Sequence, residues 1–401
     1  MPDIPALTGL RFWAAFSIIL HHLLISIVPR DTPFETMLVA CGSLGMTTFF
    51  VLSGFIIHYN YHYKVSDFSI RSYWEFFVAR FSRLYPLYLA LLLLDVTTAE
   101  RRLNWFGFTF ILTFFITMTQ SWIYLPGGLL PLGFHRSSVS WSVSTEMLIY
   151  AAYPALLWVL LKDRSSHTAR IVWVLASILG ISLALACLNT IPDMIDSLAL
   201  RTFGWWARQV GEQYTFSIWL MFYSPYMRFF EFSIGALACH LFLTRRDMSP
   251  TLIERRLILF LAAASLLMVA STFFPRTSRP ETLRAAFTYT GYYPWIAAMI
   301  YACARAPGSW LDRFFSLSPF VTLGEWSYSI YLFHIFLYHA VSTKSASNPS
   351  LIFTQSVLII LAVFASAYVL YTFIEMPWRK RTKAWLLAWP IGLPKASTTA
   401  S

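Results

Sequence analysis

Residues 10–29 read LRFWAAFSIILHHLLISIVP. As an α-helix these twenty residues extend about 30 Å, the thickness of a bilayer's hydrocarbon core. Arg11 stands at one end, and only Ser17, His21, His22 and Ser26 interrupt an otherwise apolar run. A helix apolar on nearly every side has no face to turn to water, so lipid or other helices must surround it. The run is long and no small-residue cleavage site follows it, which predicts a retained helix rather than a signal peptide. Nine similar runs follow, at 38–59, 104–123, 141–161, 170–190, 227–243, 257–274, 288–304, 321–341 and 352–373. These runs predict an all-α fold, a polytopic transmembrane helical bundle of about ten spans.

Composition points the same way. The chain has 401 residues, 57% hydrophobic and 12% charged, against roughly 45–50% and 25% in an average soluble domain. That excludes a soluble enzyme, a disordered chain and a single-anchor receptor. The apolar runs are continuous rather than alternating, which excludes a β-barrel. Leu84–Val96 is too short to cross, with Arg80 and Arg83 before it and Arg101 and Arg102 after it. It reads as a short re-entrant or interfacial helix that returns to its own face. The short segment 214–223 reads as lying at the opposite interface.

Thirty Lys and Arg against 19 Asp and Glu give a net charge of +11. In a membrane protein such an excess marks cytoplasmic loops, so no nucleic-acid partner is implied. Arg71, Arg80, Arg83, Arg101, Arg102, Lys162, Arg164, Arg245, Arg246, Arg305 and Arg313 and the run Arg379–Lys383 all fall on alternate connections. The opposite loops hold fewer, although Arg276, Arg279 and Arg284 lie in one of them. Both termini are therefore predicted to be cytoplasmic. The largest outer loop, 191–226, carries Phe203, Trp205, Trp206 and Tyr214. Residues 1–380 form the expected membrane domain and 381–401 a cytoplasmic tail ending in the small residues Ala396–Ser401. Cys41, Cys187, Cys239 and Cys303 show no paired spacing, so packing rather than a metal site or disulfide is expected.

Ionisable residues inside spans are expensive and persist when paired or used. Arg11 and His22 are eleven residues apart, which places them within about 20° on one helix face, about 16 Å apart along the axis. His21 points about 100° away and reads as a packing or hydrogen-bonding residue. Ser53-Gly54 allows close approach inside the second span. Arg80 and Arg83, one turn apart, form a cationic fork suited to phosphate, though ordinary cytoplasmic charge explains a lone pair equally well. Glu146 lies inside an apolar helix and wants a cation or a proton, which predicts that it and His22 line one polar cavity. Ser327 and His334 share a face within about 20° and are expected in one cavity, with a packing role open for His334. Arg228 and Glu231, one turn apart, suit an internal ion pair or the outer mouth of a substrate path.

Seven motifs in order resemble the acyltransferase 3 family of integral membrane O-acyltransferases. They are Thr8-Gly9-Leu10-Arg11 with His22; Phe49 to Phe55; Arg80-x-x-Arg83-x-x-Pro86; Trp141-Ser142 with Glu146; Pro225 to Phe232 with Gly235; Ser327 to His334; and Glu375-x-Pro377. The resemblance covers residues 5 to about 380. It implies transfer of an acyl group, usually acetyl from acetyl-CoA, to a hydroxyl of a carbohydrate acceptor. The setting it implies is the bacterial inner membrane, beside lipid and polysaccharide-synthesis machinery.

By position, His22 is then the catalytic histidine, with Arg11 and Glu146 in the catalytic group. Arg80, Arg83 and Ser53 fall to acyl-CoA binding, and His334, Ser327, Arg228 and Glu231 to the acceptor or the cavity. No metal and no cofactor beyond the acyl-CoA donor is implied. CoA phosphates require a basic cytoplasmic site, and hydroxyl attack on a thioester requires a near-neutral base such as imidazole. Two other classes fit ten spans: a proton-coupled transporter or flippase, and a non-catalytic subunit of a polysaccharide-synthesis complex.

Overall fold

The computed structural model describes residues 2–25, 28, 32–98, 105–125, 137–162, 166–204, 215–271, 292–340 and 349–388. All regular structure among them is helical. In chain order the helices are α1 Pro5–Leu24, α2 Pro33–Tyr61, α3 Ile70–Thr98, α4 Trp105–Ile116 and α5 Trp141–Lys162. Then come α6 His167–Leu188, α7 Pro192–Phe203, α8 Pro225–Arg245, α9 Leu252–Ser271 and α10 Tyr293–Arg305. The last are α11 Trp310–Phe315, α12 Ser318–Glu325, α13 Ser327–Ala340, α14 Pro349–Leu370 and α15 Met376–Ala388. Prolines open α1, α2, α7 and α8, where a missing N–H costs nothing. Among the described residues, seven helices are long and apolar enough to cross a membrane, so the protein is a multi-pass membrane bundle.

α2 lies at the centre, packed along α1 and α8. The Tyr59 hydroxyl donates to the Pro2 carbonyl (2.9 Å), which puts the end of α2 beside the start of α1. At the same end Glu254 bridges Arg245 and Arg305, joining α8, α9 and α10. At the other end, Asp95 near the end of α3 accepts from the Ser137 N–H just before α5 (2.7 Å).

Two expectations exchange places. The stretch 84–96 is no shallow dip but the second half of α3, a 29-residue helix long enough to cross. Its flanking Arg80 does not mark an aqueous edge; it is 7% exposed and faces the interior. The run 104–123, expected to cross, instead yields the twelve-residue α4, about 18 Å long. Its end meets the middle of α3, where the Tyr88 and Tyr85 hydroxyls donate to the carbonyls of Phe115 and Ile116. The chain then turns back, and the Trp122 indole donates to the Ser144 carbonyl on α5 (2.9 Å). Of the two stretches, it is α3 and not α4 that is long enough to cross.

The run 321–341 is likewise broken, into α12 and α13 at Trp326. There Gly324 presses on the Thr8 carbonyl of α1, which holds α12 across the start of that helix. The segment 214–223 appears from 215 as one helical turn, Phe216–Ile218, continued by a π-helical turn, Trp219–Tyr223, that leads into α8. Arg101, Arg102, Arg164, Trp205, Trp206, Tyr214, Arg276, Arg279, Arg284 and the residues after 388 lie outside the described residues.

Candidate active site

Arg11, Arg80, Arg83 and Glu146 meet in a narrow cavity of about 90 Å³ inside the bundle. α2 adds Ser53, α5 adds Ser142 and Tyr150, and α13 adds Ser327, Tyr328 and Tyr331. Ser142, Glu146 and Tyr150 recur every four residues and so share one face of α5. The Tyr150 and Ser53 hydroxyls face the Glu146 carboxylate. Three guanidiniums against one carboxylate leave two positive charges in excess.

Arg80 donates from Nη2 to the Tyr61 hydroxyl (2.7 Å) and lies over that ring, while its buried Nε–H has no hydrogen-bond partner among the described residues. Guanidinium donors held in fixed positions, with one unmet inside the protein, suit an anionic or oxyanionic ligand.

His22 belongs to a second and larger cavity, about 720 Å³, which also contains His21, Ser43, Trp141, Asn189, Asp193, Asp196, Ser217, Phe222 and Tyr223. Its lining of rings, carboxylates and hydroxyls differs sharply from the arginine cavity. Met46 and Tyr331 line both. On α5, Trp141 faces the second cavity and Ser142 the first, as the 100° step between neighbours requires.

The two histidines of α1 diverge. His21 Nδ1 lies 2.9 Å from the Leu38 carbonyl, and its ring rests on Gly42, where a Cβ would come within 2.8 Å of it. His22 Nδ1 lies 2.9 Å from His334 Nε2 on α13, and His334 Nδ1 lies 2.6 Å from the Tyr331 carbonyl.

Two expected relationships change, and of the two alternatives for Arg228 and Glu231 the ion pair is the one found. Glu146 does not share a cavity with His22; the register of α5 turns it toward the arginines, which supply the opposite charge it needs. Ser327 and His334 share a face but not a cavity: Ser327 lines the arginine cavity, while His334, two turns on, stands against His22. Arg228 and Glu231 line neither cavity and form a buried ion pair, 2% and 1% exposed. Arg228 also donates from Nε to the Phe222 carbonyl (2.7 Å) and lies against the rings of Phe50, Trp141 and Phe222. It therefore braces one wall of the second cavity.

Several lining residues escape a reading of motifs. Tyr150 lies one turn beyond Glu146, so helical spacing alone would have found it. Tyr331 stands inside the Ser327–His334 motif; its hydroxyl donates to the Val139 carbonyl (2.7 Å) and accepts from Ser142 (2.9 Å). Asn189, Asp193 and Asp196 carry no motif and reach the cavity only through the turn between α6 and α7. Asp196 is fixed there by the Ser217 N–H and hydroxyl, at 2.7 and 2.8 Å.

A multi-pass bundle with a cation-lined interior cavity and an adjoining imidazole cavity has the makings of a membrane enzyme acting on two substrates. A family model described as an acyltransferase domain matches residues 4–374, and the chain belongs to this acyltransferase 3 family. Among its relatives, acyltransferase MdmB of Streptomyces mycarofaciens is 28% identical over 342 residues, 82% of this chain and 78% of that protein. O-acetyltransferase OatA of Staphylococcus aureus is 22% identical over 396 residues, 94% of this chain. The chain spans little more than half, 57%, of that relative's length. No solved structure matches the chain.

Proposed function

We propose that this protein is an O-acyltransferase that moves an acyl group, acetyl first among candidates, from acyl-CoA to a hydroxyl of a carbohydrate acceptor. The observation that carries this reading is the pair of adjoining cavities. One is narrow and cationic, the other broad and lined by rings and hydrogen-bonding groups, with Met46 and Tyr331 common to both. The narrow cavity suits the thioester arm of CoA, with Arg11, Arg80 and Arg83 for its anionic and carbonyl oxygens. Aromatic faces with carboxylate, amide and hydroxyl partners suit a polyol in the broad one.

In the reaction, His22 takes the proton of the acceptor hydroxyl as that oxygen attacks the thioester carbonyl. The C–S bond then breaks, and the thiolate sulfur receives the proton from His22, leaving an ester and free CoA thiol. A guanidinium near the carbonyl oxygen stabilises the negative charge that develops there.

The end of the bundle that holds Arg245, Arg305 and Arg379 is assigned to the cytoplasm of a bacterial inner membrane, with both termini on that side. The name of the staphylococcal relative, an O-acetyltransferase, supports the choice of ester and of acetyl. The test is transfer of label from radiolabelled acetyl-CoA to a glycan acceptor by the purified protein in proteoliposomes. Label in the acceptor that depends on His22 supports the reading. Movement of unmodified glycan across the vesicle without label transfer overturns it in favour of a transporter.

A further inference from the structure

We propose that His334 is a positioning residue that fixes the tautomer of His22 and makes Nε2 its basic nitrogen. The inference rests on the reading of His22 as the base and goes beyond it.

A carbonyl oxygen carries no proton. The 2.6 Å contact between His334 Nδ1 and the Tyr331 carbonyl therefore requires a proton on that nitrogen. His334 is 2% exposed, and no carboxylate forms an ion pair with it among the described residues. An isolated cation in such a place is costly, so the ring is neutral. With Nδ1 protonated, its Nε2 offers only a lone pair. The partner at 2.9 Å, His22 Nδ1, must then donate. The His22 proton is placed on Nδ1, and its Nε2 becomes the proton acceptor.

Ring geometry suits a hydrogen bond between the two nitrogens. The two centroids lie 5.1 Å apart with planes 28° from parallel, so the rings meet edge to edge through their nitrogens. The carbonyl that starts the chain of hydrogen bonds is itself held. The Tyr331 hydroxyl donates to the Val139 carbonyl before α5 and accepts from Ser142 on α5. α13 thereby sets both the depth and the rotation of the His334 ring. The other histidine of α1 is tied to the Leu38 carbonyl and does not compete for His334.

When His22 takes the acceptor proton on Nε2, its Nδ1–H becomes the donor of a charge-assisted bond to His334 Nε2. His334 keeps its own proton on Nδ1 throughout, and the transferred proton leaves from His22 Nε2 to the thiolate sulfur. The arrangement does what a carboxylate does behind a catalytic histidine, with a neutral acceptor in its place.

The test compares His334→Gln with His334→Phe. The Gln side-chain oxygen can accept from His22 Nδ1–H; the Phe ring fills the space and accepts nothing. His334→Phe should lower kcat by about 10–10²-fold with KM for both substrates nearly unchanged, the scale seen for partners that orient a metal-bound histidine. His334→Gln should recover most of that loss. Nitrogen NMR of the ¹⁵N-histidine-labelled wild-type protein in lipid should show His22 protonated at Nδ1, and this measurement needs no variant to fold.

The inference is overturned by full kcat in His334→Phe, by equal losses in both variants, or by a His22 resonance showing the proton on Nε2. Failure of the base reading looks different: His22→Ala itself would stay active. An inactive His22→Ala beside a fully active His334→Phe removes only the positioning role of His334.

Discussion

Gly54 of α2 and Gly235 of α8 each lie against the other helix's backbone: a Cβ on Gly54 would run into the Phe232 carbonyl, and one on Gly235 into the Val51 carbonyl. The approach is reciprocal and backbone-to-backbone, so no side chain can move aside to relieve it. It also carries function. Ser53, next to Gly54, reaches the arginine cavity, and Phe50, one turn earlier, stacks under Arg228.

Gly235→Val or Gly54→Val should therefore cost more than the ~1–3 kcal/mol typical of overpacking. Gly180 on α6 serves as the control, because a Cβ there would have nothing within 4 Å. Gly180→Ala should be neutral or stabilising by up to ~1 kcal/mol. Thermal unfolding in detergent, followed by gel filtration, separates the two outcomes. Equal stability of Gly235→Val and wild type would contradict the close approach.

Breaking the Arg228–Glu231 pair should act on stability first. Glu231→Leu leaves a buried guanidinium without its carboxylate, beside the Phe222 carbonyl and the rings of Phe50, Trp141 and Phe222. Loss of one partner of a buried pair costs about 3–5 kcal/mol. The double variant Arg228→Met with Glu231→Leu should recover part of that loss, because no lone charge remains. A double variant as unstable as the single one would show that the charge pair is not the cause.

Much of this architecture is legible in the sequence, and the failures share a cause. Hydropathy locates most of the long helices, and helical arithmetic puts Arg11 and His22 on one face with His21 turned away. Hydropathy misjudges α3 because it treats arginines as markers of the water edge, whereas Arg80 is sequestered in a protein cavity. It misjudges α4 because length in residues does not reveal a chain that turns back at Tyr85 and Tyr88. The pairing of Glu146 with His22 fails for a different reason: one helix can face two cavities, and only the rotation of α5 decides which residue enters which. The contact between His22 and His334 joins residues 312 positions apart, and no local pattern encodes it.

Arg80→Ala and Arg83→Ala should raise the KM for acyl-CoA more than the KM for the acceptor. Each hydrogen bond to a charged group contributes about 1.5–3 kcal/mol, so a loss of about 10–100-fold is expected per arginine engaged. Arg83→Lys should restore little, since a point charge does not reproduce the planar fork. Steady-state kinetics with each substrate varied in turn checks this. An unchanged donor KM beside a raised acceptor KM would exchange the assignments of the two cavities.

The adjacent histidines give the most discriminating comparison. His22 lines the broad cavity and meets His334, whereas His21 is bound to the Leu38 carbonyl with its ring on Gly42. His22→Ala should lower transfer by about 10²–10⁴-fold, the usual contribution of a positioned base. The His334–Tyr331 contact does not involve the His22 ring, and the gel-filtration profile of His22→Ala should match wild type. His21→Ala removes one hydrogen bond to α2, a loss of about 1 kcal/mol, and it should lower thermal stability while activity stays within about tenfold of wild type. The measurement is label transfer at matched protein concentration, beside a melting curve for each variant. An inactive, fully stable His21→Ala paired with an active His22→Ala would reverse the roles of the two rings and place the reactive imidazole on the α2 side of α1.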